Sequence, residues 1–258
     1  MRTLTLLVIL LCANATHAQI EDNSFLLEEA YNQGEREVQH IFTFERDFDS
    51  KDWALALEQE WPLGSQAHQL SFELPLQNTV DVDGNRVTGL GDVILSYRYQ
   101  ALGIEDHAVA FAPRISLILP TGNADRNLGN GSMGYELGLP LSLVLVESLV
   151  AHTNASISIT PEVAAPINED LITMNLGQSL IWLAHENFNV LVEGLWGKSW
   201  LGGTDMGNGF ILNPGIRWAH NFDNGLQIVP GLSVPMQFNE DGSRSTQIFL
   251  YLSFEHGF

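Results

Sequence analysis

Eleven charged residues fall on the polar side of segments whose other side is apolar: Glu45, Glu58, Glu60, Glu73, Asp92, Glu136, Glu193 and Glu255, against Arg98, Arg114 and Arg217. Gathered in one enclosed space, such groups must pair or stay hydrated, because an unpaired buried charge is costly. Two kinds of chemistry follow. A carboxylate–guanidinium network would rigidify the interior, and a constriction with an acidic excess would favour cations or neutral solutes over anions. Asp92, Arg98, Arg114, Glu136, Glu193 and Arg217 are the residues expected to line it.

The histidines after position 18, His40, His68, His107, His152, His185, His220 and His256, all map to one end of these segments. Imidazole ligates metals and titrates near neutrality, yet no two stand at i, i+2 or i, i+4, and an amphipathic interfacial role is the reading their spacing favours. The stretch from Asp81 to Asn85 resembles the opening of a calcium loop but lacks the downstream glutamate, which makes it a turn. No G-x-S-x-G, H-E-x-x-H, P-loop or dinucleotide fingerprint occurs. Neither enzymatic activity nor a cofactor is expected. A membrane lipid hydrolase is a minor alternative, because its histidine would belong at the opposite rim.

The elements that must position these groups are strands. Period-2 alternation marks twelve of them, at 36–45, 52–61, 67–76, 91–102, 107–119, 133–146, 149–160, 171–183, 187–196, 209–220, 226–237 and 245–258. Gln178 interrupts the apolar face of the eighth. Tight connectors at 62–66, 103–106, 147–148, 185–186 and 221–225 alternate with longer ones, rich in Gly, Asn and Asp, at 77–90, 120–132, 161–170, 197–208 and 238–244. Short turns opposite long loops are the pattern of a transmembrane up-and-down antiparallel β-barrel. Gly138, Gly177, Gly215 and Gly231 fall on its inner side, where tilt and curvature crowd the backbone. Tryptophans near the segment ends suit interfacial girdles. The last strand carries Ile248, Leu250, Leu252 and Phe254 on one face and ends on Phe258. It resembles the closing strand of bacterial outer-membrane barrels, which implies the barrel assembly machinery as a partner.

Composition agrees. Residues 1–18 read as a signal peptide: Arg2, an apolar stretch at 4–11, and small residues up to Ala18. The one cysteine, Cys12, lies inside it, so the rest has no disulfide or thiolate site. A formal charge of −20 excludes nucleic acid as a partner. A mean hydropathy of +0.04 without a long apolar run excludes helical spans but not a barrel, whose alternating faces average out. The expected partners are outer-membrane lipid, lipopolysaccharide and a small-molecule solute. Residues 19–35 form an N-terminal segment and 36–258 the barrel. Within the former, 23–33 reads as a short helix with Ser24 as N-cap and Phe25, Leu26 and Ala30 on one face. It would either plug the lumen or pack on the rim.

Two segments carry a family resemblance. Gly89-Leu-Gly-Asp92 leading into Ser96-Tyr-Arg-Tyr99, and Leu119-Pro-Thr-Gly122 before an Asn/Gly-rich loop, resemble the bacterial outer-membrane family named for the MetA pathway of phenol degradation. The resemblance implies a β-barrel and passage of small compounds, aromatic ones among them, and it transfers no catalytic residue. Twelve strands leave a narrow lumen at most, between the filled eight-stranded barrel and the open sixteen-stranded one. The expected function is a narrow channel or passive transporter. The alternative is a closed barrel with a structural or surface-interaction role.

Overall fold

The first strand pairs with the last. In the computed structural model, which describes residues 23–104, 108–163 and 168–257, β1 (Glu37–Asp47) runs antiparallel to β12 (Arg244–Gly257) from Glu37↔Gly257 to Asp47↔Gln247. Its other edge pairs with β2 (Trp53–Pro62). The order then follows the chain: β3 (His68–Val80), β4 (Arg86–Leu90 and Val93–Tyr99), β5 (Val109–Phe111 and Arg114–Leu119), β6 (Gly134–Gly138 and Leu141–Val146), β7 (Leu149–Thr160), β8 (Leu171–His185), β9 (Phe188–Leu201), β10 (Thr204–Trp218), and β11 (Gln227–Ser233 and Met236–Asn239). These are twelve antiparallel strands in a closed up-and-down barrel. The interruptions of β5, β6 and β11 fall at Pro113, Pro140 and Pro235, which have no N–H for the ladder.

The outer face is apolar all the way round. Phe42, Leu55, Leu70, Leu95, Ile115, Leu137, Ile157, Leu176, Val192, Phe210, Leu232 and Leu250, one from each strand in order, are all exposed. A ring of this size is far beyond the apolar patch a water-soluble monomer carries, and hydrocarbon is the medium that suits it. Gln178 lies on this face. Its amide donates to the carbonyls of His152 and Ser179 and accepts from Thr153 Oγ1, so the polar group is bonded within the sheet.

Two of the expected long loops are largely strand. β3 and β4 continue outward to Val80↔Arg86, closed by a turn in which Asp81 Oδ1 accepts from the N–H groups of Asp83 and Asn85 and Gly84 has a φ of 83°. β9 and β10 extend to Leu201↔Thr204 across Gly202 and Gly203, both at positive φ, as a two-residue hairpin requires. Alternation misses these extensions for a physical reason. Beyond the apolar belt neither face of the hairpin needs to be apolar, and polar cross-strand pairs such as Asn78 with Thr88 hold it.

The expected N-terminal helix is absent. Residues 23–34 are irregular and contain no helical turn. The proposed signal segment at 1–18, His107 and Phe258 lie outside the described residues.

Candidate functional site: the occupied lumen

An irregular segment buried inside a barrel must have its backbone donors satisfied, and here the barrel wall does it. Glu193 Oε1 accepts the N–H groups of Phe25, Leu26 and Leu27 at 3.1, 2.9 and 3.2 Å. Asn154 Oδ1 accepts from Glu28, Ser142 Oγ from Ala30, Gln100 Oε1 from Asn32 and Gln69 Oε1 from Gln33, at 2.8–3.0 Å. In a helix capped at Ser24 the first three of these donors would have no carbonyl partner, and those of Glu28, Ala30, Asn32 and Gln33 would have bonded to carbonyls four residues back. Ser24 does not cap either; its hydroxyl donates to Ser179 Oγ.

The path of the segment follows from its partners. Gln33 lies against the short-turn ends of β2 and β3, where its amide donates to Glu60 and its N–H to Gln69. Glu28 is deeper, beside Asn154 of β7, and Asn23 returns to the short-turn end, where its carbonyl accepts from Arg217. The segment is thus an arch across the lumen with Leu26 to Glu28 at its inner apex, and it contacts the whole wall from β1 to β12.

Charge and shape both fit it. Arg98, 2% exposed on its side chain, donates to Glu28, Asn32 Oδ1 and the carbonyls of Glu29 and Tyr31. Arg114 binds Glu28 and, at 2.9 Å, Glu136. Burial pushes the Glu29 carboxyl up, against the pull of the Arg98 guanidinium. The Phe25 ring packs 5.6 Å from both Phe249 and Tyr251 and lies over Gly215 and Gly231, where an added Cβ would stand 2.5 and 2.6 Å from it. Leu27 covers Gly177 in the same way. The inner glycines, expected to relieve curvature, make room for plug side chains at these three positions.

Space remains around the arch among the described residues. A cavity of about 670 Å³ on the long-loop side is lined by Thr173, Asn175, Lys198, Ser199, Asn208, Gln237 and Asn239 among others. Beside the arch, one of about 200 Å³ has an acidic wall of Glu58, Glu60 and Glu73, and another of about 170 Å³ is lined by Arg114, Glu136 and Asn154. Glu58 and Glu73 are direct cross-strand partners.

Chains of known structure share this architecture. An outer-membrane channel from Pseudomonas putida F1 superposes with a TM-score of 0.63 at 13% identity, over 92% of this chain and 98% of that one. The NanC porin does so with a TM-score of 0.61 at 10% identity, over 83% and 98%. These likenesses establish the fold. No protein-family model matches the chain, and no curated protein matches it in sequence.

Of the six residues expected to line a constriction, five touch the arch or one another. Arg98, Arg114, Glu193 and Arg217 bind the arch directly, and Glu136 binds Arg114. Asp92 stands apart. It accepts the N–H groups of Gly122 and Asn130 at 2.9 and 2.7 Å, so it holds the 120–132 connector down on the barrel mouth. Thr121 Oγ1 donates to the Gly91 carbonyl, and the two segments that carry the family resemblance are therefore in contact. Sequence reading missed the neutral partners of the arch, Gln69, Gln100, Ser142, Asn154 and Ser179, and Asn213, which donates to Glu193. Their one signal was that polar residues of modest size recur on the inner face near the short-turn end. His152, expected at the interface, is instead fully buried in the lumen, with Nδ1 2.7 Å from Ser142 Oγ. That serine is engaged by the Ala30 N–H, so the Ser–His pair is a plug contact.

Proposed function

We propose that this chain is a plugged passive channel of the bacterial outer membrane, in which residues 23–33 gate a narrow polar lumen for small solutes, aromatic compounds among them. The carrying observation is the nature of the filling. The lumen is occupied by a separable segment, held by hydrogen bonds to wall groups that include serine, asparagine, glutamine and charged residues, whereas a barrel of purely structural role closes its interior with its own wall side chains. The vestibule above the arch and the two smaller spaces beside it support passage along the arch or after its withdrawal. Carboxylates outnumber arginines on the wall, which favours cations and neutral solutes. The architectures of the similar channel and porin are consistent with this reading. Export by residues 1–18, contact with lipopolysaccharide, docking of the C-terminal strand on the assembly machinery, and membership of the phenol-pathway family belong to the same proposal.

Single-channel recording in planar bilayers tests it, with the intact chain and a variant lacking residues 23–33. Small or intermittent cation-preferring currents are expected from the first and larger, steady ones from the second, with altered ion selectivity after Arg114→Ala. Silence from both, together with no solute uptake by liposomes, would leave the closed structural or surface-interaction barrel as the better reading.

A further inference from the structure

His40 and His256 are far apart in sequence and adjacent in space. Val38 pairs with His256 and His40 with Phe254 across the β1–β12 seam, so the two imidazoles are diagonal neighbours. Phe42 and Phe254 make an edge-on contact on the same outer face. The rings are inclined by 23°, and their Nε2 atoms face each other at 3.3 Å. Two imidazole nitrogens bound at about 2.0–2.1 Å to one tetrahedral ion stand about 3.3 Å apart.

The other nitrogen of each ring is already engaged. His256 Nδ1 lies 3.1 Å from the Gly257 carbonyl, which can only accept, so this nitrogen carries the proton and Nε2 keeps its lone pair. His40 Nδ1 lies 2.6 Å from the Gln59 side-chain amide. Gln59 Nε2 is the nearer amide atom; rotation of the amide by a half-turn brings its oxygen to the ring instead, where it accepts from His40 Nδ1–H and leaves the His40 Nε2 lone pair free. Both rings then have the outer support that orients metal-bound histidines.

We propose that His40 and His256 bind a late first-row divalent ion, zinc, copper or nickel, that clasps the first strand of the barrel to the last. No group of three or more His, Cys, Asp or Glu residues is suited to a metal among the described residues, so water fills the remaining positions. Imidazole selects these ions over calcium or magnesium. Because the site spans the closing seam, a bound ion stabilises the closed barrel by mass action. This assignment does not depend on whether the lumen conducts.

The test is zinc titration by calorimetry of the detergent-solubilised barrel, with its unfolding midpoint followed in parallel. One zinc per chain is expected, with a midpoint that rises as zinc is added. His40→Gln and His256→Gln should each weaken binding at least tenfold and abolish the rise, Gln59→Leu should weaken binding about 10-fold to 100-fold, and His68→Gln should change nothing. Both histidine variants should still reach the folded, heat-modifiable form without metal. Zinc, copper and nickel all failing to bind the intact chain would overturn the clasp and leave a His–His hydrogen bond. Unchanged binding in both histidine variants would overturn it as well.

Discussion

Arg98 and Arg114 stand directly opposite each other as a cross-strand pair of β4 and β5, and the Glu28 carboxylate bridges them. Like charges in that register repel, so the arch supplies the countercharge that makes this part of the wall stable. Glu28→Gln removes it. The Glu28 side chain is 30% exposed, and solvent screens part of the bridge. A cost of about 1.5–3 kcal/mol to docking of the arch is expected, or about tenfold to a hundredfold more time undocked. Protease access to residues 23–33 and open probability in bilayers should both rise, while heat-modifiable migration of the barrel stays as in the parent chain.

The barrel was legible because hydrocarbon imposes a rule on every strand that crosses it: Leu95, Ile115 and Leu137 had to alternate with Ser96, Arg114 and Glu136. That rule lapses beyond the belt, and there the reading failed, at the polar hairpin arms around Asn78 and Lys198. The arch was illegible for a different reason. Ser24 and Phe25 to Ala30 have helical spacing, and only wall groups far along the chain, such as Asn154 and Ser142, outcompete the local carbonyls for the N–H groups of Glu28 and Ala30. The arginines and glutamates of the lumen were found by face and parity. Their partner, Glu28, was not, because helical spacing groups Phe25, Leu26 and Ala30 and says nothing of the wall groups that Glu28 meets.

Phe25 and Gly231 form a second dependence between arch and wall. Phe25→Ala should weaken docking by about 2–3 kcal/mol, below the figure for a fully buried phenylalanine because this ring is only partly buried. Gly231→Val places a branched side chain where Phe25 lies, and overpacking of this kind costs about 1–3 kcal/mol. The two should not add. With the ring gone the valine has less to strike, so the double variant should release the arch no more than Phe25→Ala does, as read by protease access in a double-mutant cycle.

Asp92→Ala acts elsewhere. It removes both acceptors of the Gly122 and Asn130 N–H groups, and the 120–132 connector should lose protection in hydrogen exchange while residues 23–33 keep theirs. Gly129→Ala should mimic it, since a Cβ there would meet the Asp92 carboxylate. A loss of protection spread over the arch instead would mean that the mouth and the plug are one cooperative unit.

Acid should strengthen the Glu29 contribution to the arch. Burial raises this carboxyl in the docked state, against the opposing attraction of Arg98. A carboxyl with a raised docked value takes up its proton more readily when docked than when free. Its contribution to docking is therefore complete below the ordinary carboxylate range and is lost as pH rises through the raised value. Glu29→Gln is neutral throughout and removes this dependence. Protease access to residues 23–33, measured across that window, should rise more steeply with pH in the parent chain than in Glu29→Gln. Parallel profiles would show that Glu29 does not sense the docked state, and that the pH response of the arch belongs to other groups.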